Sequence, residues 1–328
     1  MKETINIDNK LLSIIVPVYN TEEYLEECLN SIVNIKHINY EILIINDGST
    51  DNSYSICETY RDKFPNLVRL FNQSNAGLSA SRNLGIEKSN GAYIYFLDSD
   101  DYVNPLKLEE LTIFAANNDL DIINFNGYHF SLDTKGDKNI TLGYNRQKLS
   151  SQFQNGSELL EKMLKTNKYF ASSCLYLIRK DIFVSKNIRF IEGIIHEDEN
   201  ITPLLMLNAK KAFHRDDFVL YRRIRPNSIM TSLDPHKSYE GNLKGFESLM
   251  HHENDYIHEY SYRRIILKYY LKLRIYQVEF NKNTFLIGVA DLITKYKIYL
   301  FPKMFLKLVL LNVFPNLSLK VRSIKNKK

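Results

Sequence analysis

The first 130 residues alternate between apolar runs and segments with helical periodicity. Residues 11–18, 40–45, 68–71 and 93–97 are short runs of β-branched, aliphatic and aromatic side chains, and we interpret each as a buried strand. Between them, apolar residues recur every three or four positions, which is typical of helices. Strands that are apolar throughout are covered on both faces. The pattern therefore predicts an α/β fold with a mostly parallel sheet flanked by helices.

Polar clusters follow three of these strands at the point where each strand ends. They comprise residues 17–20, 47–49 and 98–101. Because ligands of parallel α/β sheets bind outside the carboxyl ends of the strands, we expect the three clusters to meet in one crevice. No G-x-G-x-x-G motif and no Gly-Lys phosphate loop follows the first strand. Phosphates would therefore be held by a metal ion and by cationic side chains.

The third cluster places three carboxylates within four positions at the tip of a strand. Asp98 and Asp100 are two residues apart, so both can reach one ion if the chain turns after Leu97. A divalent cation with oxygen ligands would offset their repulsion. The alternative is structural, with Asp100 or Asp101 capping a helix that begins near Pro105.

Four short motifs surround the expected crevice. They are residues 15–20 (IVPVYN), 46–51 (NDGSTD), 75–83 (NAGLSASRN) and 97–101 (LDSDD). In order and spacing they resemble family 2 glycosyltransferases of the GT-A fold, and the resemblance covers roughly the first 130 residues. It implies a Rossmann-like domain that binds a nucleotide-diphospho-sugar, commonly a UDP-sugar, with a divalent metal, Mn²⁺ or Mg²⁺.

The resemblance implies a role for each matching position. Pro17 and Tyr19 would flank the nucleobase. Asp47 would accept a hydrogen bond from the base ring, and a carboxylate is a good acceptor for the ring N–H of uracil. Asp100, in the DXD motif, would coordinate the metal that bridges the two phosphates. The other predicted contacts to the nucleotide-sugar are Asn75, Gly77, Arg82, Asn83, Asp98 and Ser99. Taken singly, each has a structural alternative: Pro17 could end a strand, Asp47 could cap the next helix, and Arg82 could be a solvated helix charge.

Three consecutive acids, Glu197, Asp198 and Glu199, precede the apolar stretch 201–207. Acids in the first turn of a helix are favoured by the helix dipole, which is one explanation for them. The resemblance implies another. Asp198 would be the catalytic base that deprotonates the acceptor hydroxyl, and Glu197 would orient the acceptor or the base. One base suffices where a metal serves the leaving group, so we expect a single displacement with inversion at the sugar.

Residues 218–229 read as a strand that leaves into a loop, residues 227–234, which contains Ser228. The resemblance implies that Arg225 and Ser228 help to close over the diphosphate, and the loop could order when the donor binds. Arg222 and Arg223 are interpreted as solvated charges on the strand.

The predicted domain organisation follows from these segments. A GT-A catalytic domain would span residues 1–232, with a nucleotide-sugar-binding half over residues 1–128 and an acceptor-side half over residues 129–232. Residues 233–328 would form a C-terminal helical region, because their apolar residues recur at helical spacing.

The end of the chain is strongly basic. Residues 281–328 carry ten Lys or Arg and one acidic residue, whereas the whole chain has a net charge of +5. The segment 295–311 mixes lysines with aromatic and aliphatic residues, and no apolar run is long enough to span a bilayer. We expect it to lie peripherally on membrane lipid, and the alternative is a core helix packed on the GT-A domain with its lysines outward. Nothing resembles a nucleic-acid-binding module, so no nucleic-acid partner is expected.

These expectations together describe an inverting glycosyltransferase. It would move a sugar from a UDP-sugar to a hydroxyl of a glycan or lipid-linked acceptor in cell-surface polysaccharide assembly. Three widely separated cysteines suit a reducing cytoplasm, so we expect a location at the inner face of the cell membrane. The chain could also form a homo-oligomer. The alternative function is a non-catalytic GT-A module that binds nucleotide or scaffolds a glycan-assembly complex.

Overall fold

The structure is a computed structural model that describes residues 10–132, 136–149, 152–225, 234–280 and 294–297, together with residues 302 and 306. The packing of the chain divides it into two compact units. The first comprises Met1–Gly193 and Glu197–Ser232, and the second comprises Ile194–His196 and Leu233–Lys328.

The first unit is built on one mixed sheet, to which nine strands of the described chain contribute. These strands are β1 Leu12–Val18, β2 Tyr40–Asn46, β3 Val68–Asn72, β4 Tyr93–Phe96, β5 Tyr102–Val103, β6 Ile122–Leu132, β7 Lys138–Tyr144, β8 Tyr176–Arg179 and β9 Ala212–Arg223. Their order across the sheet is β3-β2-β1-β4-β8-β6-β9-β5, and β7 pairs with β6.

The direction of the strands changes across the sheet. β3, β2, β1 and β4 are parallel neighbours, and every residue of β1, β2 and β4 is buried. β8 then pairs antiparallel with β4 and with β6, while β6 and β9 run parallel with two register shifts. The α/β fold and the parallel arrangement of the first four strands are therefore confirmed. The carboxyl ends of β1, β2 and β4 lie at one edge of the sheet, where the sequence predicts the crevice.

Helices cover the sheet of the first unit. They are α1 Leu25–Asn30, α2 Ser53–Lys63, α3 Leu78–Lys88, α4 Pro105–Asn117, α5 Gly156–Lys165, α6 Lys180–Ser185 and α7 Glu197–Asn208. α3 approaches β1 closely, because a Cβ placed on Gly85 would lie only 2.3 Å from Ile15 Cγ2. Arg82 lies one turn earlier on the same helix, so this approach brings it to the sheet edge.

The second unit is helical, which confirms the predicted helical C-terminal region. Its described helices are α8 Pro235–His251, α9 Glu253–Tyr256 and α10 Tyr260–Glu279. α10 buries Tyr262, Ile266 and Leu273, and the Tyr262 hydroxyl donates to the Leu249 carbonyl of α8 at 2.8 Å. No helix among the described residues is long and apolar enough to cross a membrane.

The predicted membrane-binding segment 295–311 lies almost entirely outside the described residues. Within the part that is described, Tyr296 is buried and its hydroxyl donates to Glu253, the first residue of α9. Lys295 Nζ lies 2.5 Å from Glu253 Oε2. These two residues therefore pack on α9 of the second unit, whereas the alternative for this segment was packing on the GT-A domain. The membrane contact stays a prediction.

A buried carboxylate joins β1 and β2 near their amino ends, away from the crevice. Glu41 of β2 is 0% exposed and lies opposite Ser13 of β1, whose Oγ donates to it at 2.7 Å. The Asn90 N–H donates to the same carboxylate at 2.5 Å, and Arg69 Nη1 lies 2.9 Å from it. Burial raises the pKa of Glu41, but Ser13, Asn90 and Arg69 lower it by more than burial raises it. The pKa of Glu41 therefore lies below its usual range. Glu41 therefore stabilises the fold as an ionised group.

We expect Glu41→Gln to lower the free energy of unfolding by about 2–4 kcal/mol at pH 7, because it leaves buried donors and Arg69 without their charged partner. The folded-state pKa is lower than the unfolded one. The stabilisation is therefore present above about pH 4.5 and disappears as the pH falls through the folded-state pKa. Urea denaturation at pH 7 and pH 3 measures both effects.

The matched control is Glu58→Gln, which removes the same charge from an exposed i,i+3 pair with Arg61. It should cost less than about 0.5 kcal/mol. Equal effects of the two substitutions would contradict a structural role for Glu41.

Candidate active site

The turn after β2 forms one part of the crevice. Asp47 directly follows this strand and is 4% exposed. Its Oδ1 accepts hydrogen bonds from the Ala76 N–H at 2.8 Å and from Gln73 Nε2 at 2.7 Å, and its Oδ2 accepts one from the Gly77 N–H at 2.8 Å. Asp47 therefore fixes the loop before α3. It does not cap α2, whose N-cap position is Asn52.

The end of β1 is tied to the same turn. Pro17 is buried within β1, whereas Tyr19 is 47% exposed. The Asn20 N–H donates to Ser49 Oγ at 3.2 Å, and Asn20 Oδ1 accepts from the Thr50 N–H at 2.8 Å. An exposed aromatic ring therefore stands at the edge of the turn that contains Asp47, as a contact to a nucleobase requires.

Arg82 joins the polar clusters from distant parts of the chain. Its guanidinium is 1% exposed, which rules out the solvated helix charge that was the alternative. Nη2 donates to Asp98 Oδ1 at 2.9 Å, and Nη1 donates to Glu197 Oε1 at 2.8 Å and to Asp198 Oδ1 at 3.1 Å. Asp98 and the predicted catalytic base are therefore held by one side chain.

Aromatic rings and charge fix Arg82 in this position. Its Cζ lies 5.1 Å from the ring centre of Phe190 and 5.9 Å from that of Phe96. Burial lowers the pKa of Arg82, but the charges of Asp198, Asp98 and Glu197 raise it well above its usual range. The guanidinium therefore stays charged although it is buried.

Asn83, the next residue of α3, is engaged with the chain itself. Its Nδ2 donates to the Phe190 carbonyl at 3.0 Å and to Glu192 Oε1 at 3.1 Å, and its Oδ1 accepts from the Phe190 N–H at 2.9 Å. These bonds fasten the segment before α7 to α3. A contact between Asn83 and a nucleotide stays a prediction.

Three further predicted positions lie around the same edge. Asn75 is exposed in the loop before α3. Gly77 follows it with φ +92°, a conformation that favours glycine, and occupies the N-cap of α3. Ser99 is buried, and its Oγ accepts a hydrogen bond from Thr21 Oγ1 at 3.0 Å. Asn75 and Gly77 are thus accessible to a ligand at this edge, whereas Ser99 connects the loop after β4 to the segment after β1.

Asp100 is paired with Arg225. Arg225 Nε donates to Asp100 Oδ2 at 2.8 Å, and the two side chains are 25% and 21% exposed. The capping alternative for Asp100 and Asp101 is wrong, because Asn104 caps α4 by accepting from the Lys107 N–H at 3.1 Å. The predicted diphosphate contact Ser228 lies outside the described residues.

The predicted metal site requires side chains that can act as metal ligands. Within the described residues, no group of three or more His, Cys, Asp or Glu side chains is arranged to hold a metal ion. Mg²⁺ commonly uses one or two protein carboxylates together with water and substrate phosphates. Asp98 and Asp100 are such carboxylates, and each now accepts a hydrogen bond from an arginine. The donor set therefore fits a cation whose other ligands come from a bound substrate.

Comparison with known proteins decides the family. Residues 13–185 match the family model described as "Glycosyl transferase family 2". The chain belongs to glycosyltransferase family 2. The predicted family and enzyme class, a glycosyltransferase, are thereby confirmed.

Individual relatives agree with this assignment. The chain is 35% identical to the uncharacterized glycosyltransferase YibD of Escherichia coli K12 over 238 residues, which cover 73% of this chain and 67% of that protein. It is 33% identical to the minor teichoic acid biosynthesis protein GgaB of Bacillus subtilis, over 61% of this chain and 21% of that much longer protein. The structure of Staphylococcus aureus TarS 1–349 in complex with UDP-GlcNAc superposes with a TM-score of 0.62 at 22% identity, covering 90% of this chain and 81% of TarS 1–349. This likeness establishes the GT-A fold.

The acidic pair of this family 2 site has unusual proton affinities. Burial and the neighbouring charge of Asp198 raise the pKa of Glu197 to about 7, although Arg82 opposes the shift. Burial also raises the pKa of Asp198, which Arg82 lowers and Asp98 raises. A carboxylate whose pKa lies closer to neutrality accepts a proton from a hydroxyl more readily. The pair is therefore suited to general base chemistry.

Two arginines near the site were misinterpreted from the sequence. Arg223 is not solvated: its side chain is 6% exposed and pairs with Glu27, its Nε donates to the Asp100 carbonyl at 3.0 Å, and its N–H donates to Asp101 Oδ1 at 2.8 Å. Arg222 is half-buried on the other face of β9. Because neighbouring residues of a strand point to opposite faces, two consecutive arginines in a strand covered on both faces cannot both be solvated.

We expect Glu197→Gln to flatten the pH dependence of stability. The folded wild-type protein holds the Glu197 proton more tightly than the unfolded chain, so its free energy of unfolding falls as the pH rises from about 4.5 to about 7. Glutamine does not titrate. Between pH 5 and pH 8 the variant should therefore gain roughly 1–3 kcal/mol relative to the wild type, measured by urea denaturation.

The control is Glu161→Gln, which removes a carboxylate from a surface i,i+4 pair with Lys165. This variant should follow the wild-type pH dependence. A constant difference between Glu197→Gln and the wild type at both pH values would show that the pKa of Glu197 is not raised.

Proposed function

We propose that this protein is an inverting glycosyltransferase that moves a sugar from a UDP-sugar to a hydroxyl of a glycan or lipid-linked acceptor. One observation carries the proposal. The buried Arg82 holds Asp98 at the end of β4 and Asp198 at the start of α7 on the same guanidinium. A donor held at the DXD motif therefore lies within reach of a base that can activate an acceptor.

The sugar donor would bind at the carboxyl ends of β1, β2 and β4. The exposed ring of Tyr19 can stack on the uracil. Asp47 accepts three hydrogen bonds from the loop before α3, and a carboxylate has roughly four lone-pair sites, so it retains capacity for the uracil N–H. Residues 1–128 would thus form the nucleotide-sugar-binding half, and residues 129–232 the acceptor-side half.

Asp100 is the residue that would hold a divalent metal, Mn²⁺ or Mg²⁺, together with the donor phosphates. When bound, such a metal stabilises the negative charge that develops on the leaving diphosphate. Arg225 forms an ion pair with the same carboxylate and is partly exposed, so its guanidinium can contribute to binding the diphosphate.

The chemistry follows from Asp198. Its carboxylate accepts the proton of the acceptor hydroxyl as the hydroxyl oxygen forms a bond to the anomeric carbon. The bond from that carbon to the diphosphate oxygen breaks in the same displacement, and UDP leaves with the electron pair. One displacement inverts the anomeric configuration. Arg82 keeps Asp198 ionised until it takes the proton, and Glu197, bound to the same guanidinium, orients it.

We infer the setting from the relatives and place the protein in cell-surface polysaccharide assembly, at the inner face of the cell membrane. GgaB is named a teichoic acid biosynthesis protein, and TarS 1–349 was crystallised with UDP-GlcNAc. The basic end of the chain, residues 281–328, would provide peripheral contact with anionic lipid. The second candidate function, a non-catalytic scaffold, is less well supported because Asp98, Asp100 and Asp198 are all present and brought to one edge.

We expect Asp198→Asn to separate binding from turnover. Incubation of the wild type with a panel of UDP-sugars, Mn²⁺ and acceptor should release UDP. The variant should release it about 10²–10⁴ times more slowly, because the general base is lost. The affinity for UDP, measured by calorimetry, should stay within about threefold of wild type.

Asp62→Asn is the matched control, since this aspartate lies near the end of α2, is 68% exposed and pairs with Arg61. It should retain full turnover. A wild-type protein that binds UDP but releases none from any UDP-sugar would favour the scaffold, and unchanged turnover in Asp198→Asn would eliminate Asp198 as the base.

A further inference from the structure

The arginines around the active site differ in their partners. Arg82 binds three carboxylates, Arg223 pairs with Glu27, and Arg225 pairs with Asp100. Arg222 makes no hydrogen bond and no ion pair with any residue that the structure describes. Its contact is with an aromatic ring, since its Cζ lies 5.8 Å from the ring centre of Tyr144. A half-buried guanidinium without a partner in the described chain keeps its five N–H donors available for a ligand.

Arg222 and Tyr144 lie on one face of the sheet, and carboxylates of the active site act electrostatically on both. Arg222 of β9 pairs with His129 of β6, and Tyr144 of β7 pairs with Gly127 two residues earlier, so both side chains project from the same face. Burial lowers the pKa of Arg222, but Tyr144, Asp101 and Asp98 raise it above its usual range. The guanidinium is thus charged and within electrostatic reach of the DXD loop.

Tyr144 contributes a second unused donor. Burial raises the pKa of Tyr144 to about 12; Arg222 opposes this shift, whereas Asp101 and Asp198 contribute to it. Its hydroxyl therefore keeps its proton, and it makes no hydrogen bond within the described part of the chain. The neighbouring His129 adds no charge, because burial and Arg222 lower its pKa.

The nearby carboxylates do not consume these donors. Asp98 is bound by Arg82, and Asp101 accepts from the Arg223 N–H. We propose that Arg222 and Tyr144 form an oxyanion-binding subsite of the active site, which takes a phosphate- or carboxylate-type group of a substrate. The planar fork of a guanidinium matches two oxygens of such a group, and a phenol hydroxyl can bind a further oxygen. The inference rests on the proposed function and specifies its substrate as one with an anion at this position.

Two sources can supply this anion: the diphosphate of the donor, or a phosphate or carboxylate on the acceptor. Calorimetry at low salt separates them, with UDP as one probe and sn-glycerol 3-phosphate as the other. We expect Arg222→Gln to weaken the binding of one probe by about tenfold or more, and Tyr144→Phe to weaken the same probe by about three- to tenfold. Loss of UDP affinity assigns the subsite to the donor, whereas loss of glycerol phosphate affinity alone assigns it to the acceptor.

The matched control is Arg215→Gln, an equal charge change on the same strand, seven residues or about 20 Å from Arg222, where the arginine pairs with Asp217. It should leave both affinities unchanged. Thermal unfolding of each variant distinguishes a ligand contact from a structural counter-charge. If Arg222→Gln only lowers the melting temperature and binds both probes as tightly as the wild type, the inference is overturned.

The outcomes are distinguishable from those that test the proposed function. A wild-type protein that binds UDP and transfers sugar, while Arg222→Gln binds both probes normally, refutes the subsite alone. A wild-type protein that transfers no sugar refutes the proposed function, whatever the variants bind.

Discussion

A single buried cation organises the active site. The side chain of Arg82 is 1% exposed and faces three carboxylates, so the negative charge of the cluster exceeds the single positive charge of the arginine. Desolvating an arginine and its partners is expensive, and removal of one member of a buried ion pair typically costs about 3–5 kcal/mol. The arrangement therefore persists only because α3 lies close against β1 and because the rings of Phe96 and Phe190 enclose the guanidinium. The excess negative charge would favour binding of a cation, and a divalent metal ion that accompanies the donor would supply that charge.

Two buried glutamates show how the same chain stabilises one end of its sheet and strains the other. Glu41 has enough donors to remain ionised with a lowered pKa, so its burial stabilises the fold. Glu197 shares one guanidinium with two aspartates, and its pKa rises to about 7. The burial of Glu197 destabilises the fold, and the ionised Glu41 helps to offset this destabilisation. Such a division between stable scaffold and strained site is expected where acid–base chemistry is needed.

The sequence predicted the elements well because their signals are local. Continuous apolar runs identified β1, β2 and β4, and the direction of parallel strands placed Asp47 and Asp98 at one edge. The partners of Arg82 could not be predicted in this way, since Glu197 and Asp198 are 115 and 116 residues away and reach it only through the packing of α7. Capping of α4 was misassigned because Asp101 is used by the Arg223 N–H, which left Asn104 as the cap. The pairing of β6 and β9, with its two register shifts, decides to which side of the sheet Arg222 and Arg223 point. The hydrophobic pattern of the sequence does not reveal this register.

Exposure divides the four arginines into those that hold the site and those that can meet a substrate. Arg82 and Arg223 are 1% and 6% exposed and bind carboxylates of the protein, so a ligand could reach them only if those pairs opened. Arg225 is 25% exposed and its pair with Asp100 lies at the surface of the crevice, where exchange of one anionic partner for another costs little. Arg222 has no partner to exchange within the described chain. An anionic substrate would therefore meet Arg222 and Arg225 first, whereas the buried pair sets the geometry in which the substrate is held.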